Sequence, residues 1–295
     1  MDALLNPLLI EYNSLGIIPG PAESEEEFMR RAESCLALRQ RIATELGSTI
    51  PLKPEELAPL GVLSKPLEKT QKLWGIRPDW VPVFFSNYQL LPWHGGCAWI
   101  FQLKADEPPL ALLQLRRTFA KSEAYLRIYH RDELVEHELS HVGRMCFHEP
   151  RFEEIFAYQS SRSWFRRWFG PLFQSSIETV SFLVALLFIL GVDAYVLTAW
   201  GHAAYSQVAS LKLLPAVMLA FALGRLMHKQ WQFRRCLNNL TAIFKDETRA
   251  HQMIYRLTDS EIAAFKHKQT ILSYAKQQAS SSLRWRVLNA VYFSY

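Results

Sequence analysis

The segment richest in chemistry is His137-Glu138-Leu139-Ser140-His141, an H-E-x-x-H arrangement. Residues four apart lie on one face of a helix, so both imidazoles can bind a single Zn²⁺ ion. Glu138 points beside the metal, where its carboxylate can take a proton from a zinc-bound water. The spacing therefore predicts hydrolysis by a zinc-activated water.

The helix that carries these residues is predicted from an apolar stripe. Val135, Leu139, Val142 and Cys146 recur at helical spacing, and the two histidines project about 160° from the middle of that stripe. We expect one side of the helix to face the core and the other to hold the histidines in a cleft. The alternative is a surface helix with two solvated histidines.

A third ligand is expected from the helix predicted over residues 151–158, whose acids lie near its positive end. Over residues 130–158 the chain resembles the gluzincins, zinc metallopeptidases in which a Glu on a following helix completes H-E-x-x-H. The resemblance implies that Glu154 is the ligand, because Glu154 and Ala157 match the family pattern E-x-x-[small]-D. Glu153 is the alternative, and Tyr158 stands where the pattern has Asp. The short spacer requires a tight turn near residues 147–150.

Other polar residues near this segment have weaker assignments. Tyr158 follows Glu154 by four residues, so it either donates a hydrogen bond to a developing oxyanion or packs with its hydroxyl satisfied. His148 is a rival third ligand, but on a continuing helix it would lie about 10 Å along the axis from His141. Arg144 is expected on the zinc side of the helix, where an exposed salt bridge is its commonest role.

Three apolar segments precede the helix, at residues 80–85, 97–103 and 110–115. Turn sequences at His94-Gly95-Gly96 and Asp106-Glu107-Pro108-Pro109 separate them, which predicts a small antiparallel sheet. In zincins the edge strand beside the active-site helix binds an extended peptide by main-chain pairing. By that analogy we expect residues 110–115 to be the edge strand.

Two apolar runs are candidates for membrane spans. Residues 180–200 contain one ionisable group, Asp193, and as a helix they would cross a hydrocarbon layer of about 30 Å. A buried core helix is the alternative for this run. Residues 208–224 form a weaker run, because Lys212 and Pro215 interrupt it. In a hairpin, Asp193 and Lys212 lie at similar depths, so they either pair or are solvated separately.

Charges around the runs predict their orientation. Arg162, Arg166 and Arg167 precede the first run, whereas residues 201–207 contain neither Lys nor Arg. Basic residues also follow the second run: Arg225, Lys229, Arg234 and Arg235. By the positive-inside rule, both termini and the catalytic region are expected in the cytoplasm, with the short loop outside.

Aromatic residues and cysteines are consistent with a cytoplasmic-membrane protein. The aromatic residues that flank the runs are typical of headgroup belts: Trp164, Phe165, Trp168, Phe169, Trp200 and Trp231. The net charge of +5 is thus related to the membrane, and no module predicts nucleic-acid binding. Four cysteines without a C-x-x-C pair predict reduced thiols. Asp2 and the interrupted apolar run after it argue against a signal peptide.

The chain divides by pattern into four regions. We expect an N-terminal helical region over residues 1–70, a zincin-like metallopeptidase core over 71–170, a transmembrane hairpin over 176–227 and a C-terminal cytoplasmic helical region over 228–295. Capping boxes at Ser24–Glu27 and Thr258–Glu261 predict helix starts. The expected fold class is α+β, with 49% hydrophobic and 21% charged residues excluding disorder.

The resulting hypothesis is a membrane-anchored zinc metallopeptidase, with His137, His141 and Glu154 on the metal and Glu138 as the base. Its partners would be the bilayer and peptide or protein substrates, membrane proteins among them, because only ten residues separate Glu154 from Trp164. One alternative is a membrane-anchored scaffold protein with a vestigial or structural metal site. Another is a zinc hydrolase acting on a non-peptide bond.

Overall fold

The computed structural model describes residues 6–49, 51–104, 106–173 and 175–293, so Asp2 lies outside the described residues. The chain is α+β. The helices are α1 (Pro7–Ser14), α2 (Glu25–Thr49), α3 (Ser64–Trp74), α4 (Arg131–Val142), α5 (Glu153–Gln159), α6 (Trp164–Phe169), α7 (Ser176–Ala199), α8 (Gly201–Val208), α9 (Leu213–Phe244), α10 (Glu247–Ile254), α11 (Asp259–Ala264), α12 (Lys268–Gln278) and α13 (Leu283–Leu288). The strands are β1 (Val83–Phe85), β2 (Gly96–Phe101), β3 (Leu110–Leu115), β4 (Ala124–Tyr125) and β5 (Tyr129–His130).

Both predicted capping boxes are confirmed. At the start of α2, the Glu27 amide donates to Ser24 Oγ over 3.2 Å, and the Ser24 amide donates to the Glu27 carboxylate over 2.9 Å. At the start of α11, Glu261 and Thr258 make the same reciprocal pair, at 3.2 and 2.8 Å. Each box satisfies backbone N–H groups that the first helical turn leaves without an intrahelical partner.

The main sheet is mixed, so the prediction of a wholly antiparallel sheet is wrong. Its order is β1-β3-β2, with β3 antiparallel to β2 and parallel to β1. The chain reverses once between β1 and β2 and again between β2 and β3. Two reversals leave β3 running in the same direction as β1, and because β3 lies between the other two strands it has one parallel and one antiparallel neighbour.

The expected edge strand is also wrong, because β3 is the central strand. All six of its residues are buried, and its Leu-Ala-Leu-Leu-Gln-Leu sequence lacks the polar alternation of a half-exposed strand. The edge strand that contacts α4 is β2. An extended peptide beside the predicted site would therefore meet β2.

The core joins regions on both sides of the apolar hairpin. Val135, Leu139 and Val142 of α4 are fully buried, as the apolar stripe predicts, in a cluster that also contains Leu283 of α13. A second cluster combines residues of α3 and α5 with residues of α9 to α13. The chain after the hairpin thus packs directly against the helices that carry the predicted site.

Two helical segments, Ile177–Ala199 and Ala204–Phe244, are long and apolar enough to cross a membrane. Only 11% and 6% of their most apolar stretches are buried, which contradicts the alternative that they are core helices. Residues 201–207, predicted as a loop, form most of the short helix α8. The second helix also continues well past residue 224, because the C-terminal half of α9 packs in the core through Phe233 and Leu240.

The predicted polar pair inside the hairpin is confirmed. Lys212 Nζ lies 3.3 Å from the Asp193 carboxylate, and it also contacts the hydroxyl and the ring of Tyr205. A buried or lipid-exposed charge is costly when it has no partner. The pairing explains how both charges are tolerated between two apolar helices.

We expect the Asp193–Lys212 pair to stabilise the hairpin measurably. Asp193→Asn and Lys212→Met should each lower the free energy of unfolding of the bicelle-reconstituted chain, because each leaves one polar group unpaired. The double variant should be about 1 kcal/mol more stable than the sum of the single effects predicts. Strictly additive effects would show that the two residues are not coupled.

Candidate metal centre

The buried side of α4 is held in place by hydrogen bonds from distant parts of the chain. Trp74 Nε1 donates to Ser140 Oγ over 3.1 Å, and the Tyr255 hydroxyl donates to the Ser140 carbonyl over 2.7 Å. The two rings stack with centroids 4.9 Å apart. Gly143 permits this approach, because a Cβ there would lie 2.2 Å from the Tyr255 hydroxyl. These contacts fix the rotation of α4 about its axis.

The opposite side of α4 presents both histidines to α5. The Nε2 atoms of His137 and His141 lie 3.4 Å apart. The Glu154 carboxylate approaches them to 3.7 and 3.8 Å, respectively. The structure therefore brings together the three residues predicted as metal ligands, and these three could hold a metal ion.

The spacing of the two histidine nitrogens fits a tetrahedral ion, and the Glu154 carboxylate lies close to both. Bonds of about 2.0–2.1 Å to nitrogen and oxygen place neighbouring tetrahedral ligands roughly 3.4 Å apart. The two Nε2 atoms are 3.4 Å apart, in agreement with that value. They lie 3.7 and 3.8 Å from the two different oxygens of the Glu154 carboxylate, and one donor atom from each of the three residues lies within 4.8 Å of the others. Two imidazole nitrogens and one carboxylate are donors that Zn²⁺ accepts, and three protein ligands leave a fourth position for water or substrate.

Glu153, the alternative ligand, lies on the other side of His141. Its Oε1 is 3.2 Å from His141 Nδ1, and its Oε2 accepts a hydrogen bond from Arg144 Nε over 3.0 Å. Glu153 thus orients the imidazole whose Nε2 faces Glu154. Adjacent helical residues point about 100° apart, so only one of the two acids can face the two Nε2 atoms. The turn between α4 and α5 decides which of them does.

Arg144 is not an exposed salt-bridge residue, contrary to expectation. α4 ends at Val142, so the Arg144 side chain turns inward and is fully buried. Its Nη1 donates to the carbonyls of Tyr255 and Leu257 over 2.6 and 2.9 Å. Arg144 therefore ties Glu153 to the chain after the hairpin, a link that local sequence patterns do not reveal.

Glu138 lies beside the three donors and is held by the edge strand. Its Oε2 accepts a hydrogen bond from the Ala98 amide of β2 over 2.8 Å. Burial raises the pKa of Glu138, although the nearby His141 charge and the Ala98 hydrogen bond oppose the shift. A carboxylate with a raised pKa accepts a proton from water more readily than an exposed one.

Two clefts meet at Glu138. The first is lined by His137 and Tyr158 and extends to α6, and the second runs along β2 past His141 and Glu153. An elongated substrate could therefore extend to both sides of the three donors. Openings on two sides are typical of a substrate-binding cleft rather than of a closed structural metal site.

Tyr158 lines the first cleft with its ring against His137, at a centroid distance of 4.8 Å. Its hydroxyl has no hydrogen-bond partner among the described residues, and burial raises its pKa to about 12. The hydroxyl therefore stays protonated at neutral pH. The oxyanion role remains a prediction. Gly170 allows the turn after α6 to rest on this ring, because a Cβ there would lie 2.2 Å from it.

The two histidines differ strongly in basicity without a metal. Burial and the neighbouring His141 charge lower the pKa of His137 to about 3. Burial also acts against protonation of His141, but its hydrogen bond to Glu153 and the nearby carboxylates outweigh burial and raise its pKa to about 9. At neutral pH the pair therefore holds one proton, on His141.

His148, the rival ligand, is not one of the three converging donors. It occupies the predicted tight turn between α4 and α5 with a positive φ of 52°, and it lines the second cleft next to Glu149. The turn reverses the chain within a few residues, so that α5 returns along α4. This reversal places Glu154 opposite the histidines.

No protein-family model, curated protein or solved structure matches this chain. The class that the fold and the site define is thus an α+β protein with a His-His-Glu group that could bind a metal. Two of its helices are long and apolar enough to cross a membrane.

Paired substitutions should separate the ligand from the residue that orients it. Glu154→Gln should weaken Zn²⁺ binding most, because it removes a direct donor. Glu153→Gln should weaken binding by about 10- to 100-fold through misorientation of His141. Competition with a zinc chelator measures both effects. A larger loss in Glu153→Gln than in Glu154→Gln would reverse the two assignments.

Zinc binding should release protons at neutral pH. The His141 proton must leave before its Nε2 can bind metal, because the pKa of this residue in the metal-free chain is about 9. The apparent affinity should rise about tenfold per pH unit between roughly pH 6 and 8. Calorimetry in buffers of different ionisation enthalpy counts the released protons, and zero protons at pH 7 would contradict the arrangement.

Proposed function

We propose that this chain is a membrane-anchored zinc metallopeptidase of gluzincin type that hydrolyses peptide bonds at the cytoplasmic membrane surface. The observation that supports the proposal most is the convergence of His137, His141 and Glu154 within 3.4–3.8 Å. Glu138 lies next to this group. The donors come from two helices and leave one side open to a cleft.

In this proposal Zn²⁺ is held by His137, His141 and Glu154, and when bound it polarises the scissile carbonyl and acidifies its water. Glu138 takes the proton of the attacking water and passes it to the leaving amine. The Tyr158 hydroxyl donates a hydrogen bond to the oxygen that gains charge. Glu153 holds His141 in the orientation that directs Nε2 toward His137 and Glu154.

The substrate backbone would pair with β2 rather than with the central strand β3. β2 is an edge strand beside α4, and its Ala98 amide already reaches the active-site cleft at Glu138. Main-chain pairing to a sheet edge binds extended peptides with little dependence on sequence. This contact favours a peptide over a non-peptide substrate.

The proposed location rests on the arrangement of basic residues. Arginines precede α7 and follow the apolar part of α9, whereas residues 201–207 contain no Lys or Arg. The positive-inside rule then places the sheet, α4 and α5 on the cytoplasmic side, with α8 outside. The α7–α9 hairpin would be the anchor.

A structural metal site in a scaffold protein is the competing function. Structural zinc sites usually have four protein ligands and are closed. Here three donors converge, and Glu138 lies beside them at the junction of two clefts. The three-donor geometry therefore favours a catalytic site.

The decisive variant is Glu138→Gln. It should lower kcat/KM on a quenched-fluorescent peptide library by about 10²- to 10⁴-fold, because it removes the base, while the bound zinc stays near one per chain. Glu136→Gln is the matched control, since Glu136 is a buried glutamate of the same helix that lines neither cleft. It should retain activity.

Metal analysis completes the test. Zinc should co-purify with the full-length chain and should be lost from the His137→Ala, His141→Ala double variant. Absence of zinc binding by the wild-type chain would contradict the proposal. Hydrolysis that survives Glu138→Gln would remove Glu138 from its role.

A further inference from the structure

The mouth of the first cleft is bordered by three separate segments. These are the loop before β2, the β4–β5 hairpin and helix α6, which contribute His94, Ile128 and Phe165 to the lining. The Tyr125 hydroxyl donates to the Pro92 carbonyl over 2.5 Å, joining the first two segments. Arg166 donates to the Ile128 carbonyl and joins the β4–β5 hairpin to α6.

Large apolar side chains project from these segments into solvent. We call them the rim, which consists of Trp93, Leu126, Ile128, Trp164 and Phe165. Each is between 51% and 63% exposed. Soluble proteins rarely expose apolar side chains in such a group unless they contact a partner or a membrane.

The tip of the β4–β5 hairpin has a backbone conformation that non-glycine residues rarely adopt. Leu126 and Arg127 have φ values of +52° and +58°, and the Ile128 amide donates to the Tyr125 carbonyl over 3.2 Å. Such turns favour Gly and Asn, so a residue with a Cβ is strained there. The strained turn holds an apolar and a cationic side chain outward at its tip.

The rim is continuous with the helices proposed to span the membrane. A short turn, Gly170–Leu172, connects α6 to the segment that begins α7. The guanidinium of Arg234 in α9 lies 3.7 Å from the Trp168 ring centroid. Arg225 of α9 pairs with Glu178 at the start of α7 and donates to the Leu172 carbonyl over 3.5 Å. These contacts fix α6 where the apolar helices end.

We propose that the rim inserts into the headgroup layer of the bilayer that α7 and α9 span. Three arginines are exposed beside the rim: Arg127, Arg162 and Arg167. Their positive charges complement the negative charges of anionic lipids. The aromatic and aliphatic side chains of the rim are typical of the interface between headgroups and hydrocarbon. The mouth of the first cleft then opens at the membrane surface.

The substrate class follows from this placement and rests on the proposed function. A peptide that enters a cleft opening at the headgroups must itself lie at that level. We infer that the substrates are segments next to a membrane span, rather than peptides free in the cytosol. Lipid contact by the rim does not depend on catalysis.

Depth measurements test the lipid contact alone. A genetically encoded fluorophore replaces Leu126 or Trp164 in the full-length chain, reconstituted in phosphatidylcholine vesicles with phosphatidylglycerol. Brominated lipids should quench both probes by about twofold or more. The control probe replaces Leu60, which is 63% exposed but lies outside the rim, and it should not be quenched. Rim probes that behave like the Leu60 probe would overturn the proposal.

An activity comparison tests the substrate class. The triple variant Trp93→Ser, Leu126→Ser, Trp164→Ser changes rim residues that do not line either cleft. It should bind zinc and cleave a short soluble peptide normally. Cleavage of the same peptide fused to a membrane span should fall about tenfold.

The outcomes separate the two proposals. Equal cleavage of the tethered peptide by the wild type and the triple variant would overturn the inferred substrate class. An equal loss on both peptides would do the same, because the rim would then support the cleft itself. If the wild type cleaves neither peptide, the proposed peptidase fails, while lipid quenching still decides whether the rim contacts the bilayer.

Discussion

Two imidazole nitrogens face each other at 3.4 Å inside the protein, and the contacts of α4 with α3, α5 and the chain after α10 hold them in that position. When no proton or metal lies between them, the lone pairs of two such nitrogens repel each other and are poorly solvated. One turn of α4 supplies the spacing, but the helix alone does not fix the direction in which His137 and His141 point. The contacts of Ser140 on the opposite side with Trp74 and Tyr255 supply that direction.

The chain after the α7–α9 hairpin helps to position the candidate metal site, as does α4, which carries the H-E-x-x-H residues. Arg144 is clamped by two carbonyls, those of Tyr255 and Leu257, and its guanidinium lies 4.5 Å from the Phe156 ring centroid. Through Glu153 it orients His141. A hydrogen-bonded relay thus runs from the C-terminal helices to one of the three metal donors, so the hairpin is an insertion within one packed structure rather than a terminal anchor.

Features that depend on the spacing of residues along a helix were predicted correctly from the sequence. The H-E-x-x-H face, both capping boxes, the apolar stripe of α4 and the Asp193–Lys212 pair follow from helical periodicity and depth, and the structure confirms them. The predictions that depend on long-range pairing were less successful. Strand order decides whether β3 is central, and no local pattern specifies where it enters the sheet.

Residues whose roles depend on distant partners were misassigned for the same reason. Arg144 was placed by extending a helix that ends at Val142, and the carbonyls that bind its guanidinium are more than a hundred residues away in sequence. Glu153 and Glu154 could be distinguished only after the turn containing His148 had set the angle between α4 and α5. The direction in which a side chain points after a tight turn depends on how the two helices pack, and local sequence does not specify that packing.

We propose that zinc is held by two imidazoles and a carboxylate, and X-ray absorption at the zinc edge of the purified 295-residue chain tests this binding mode. The expected spectrum contains only nitrogen and oxygen neighbours at about 2.0–2.1 Å, with the outer-shell scattering of two imidazole rings. A sulfur shell at about 2.3 Å would mean that thiolates such as Cys97 or Cys146 hold the metal. That result would contradict the assignment of His137, His141 and Glu154.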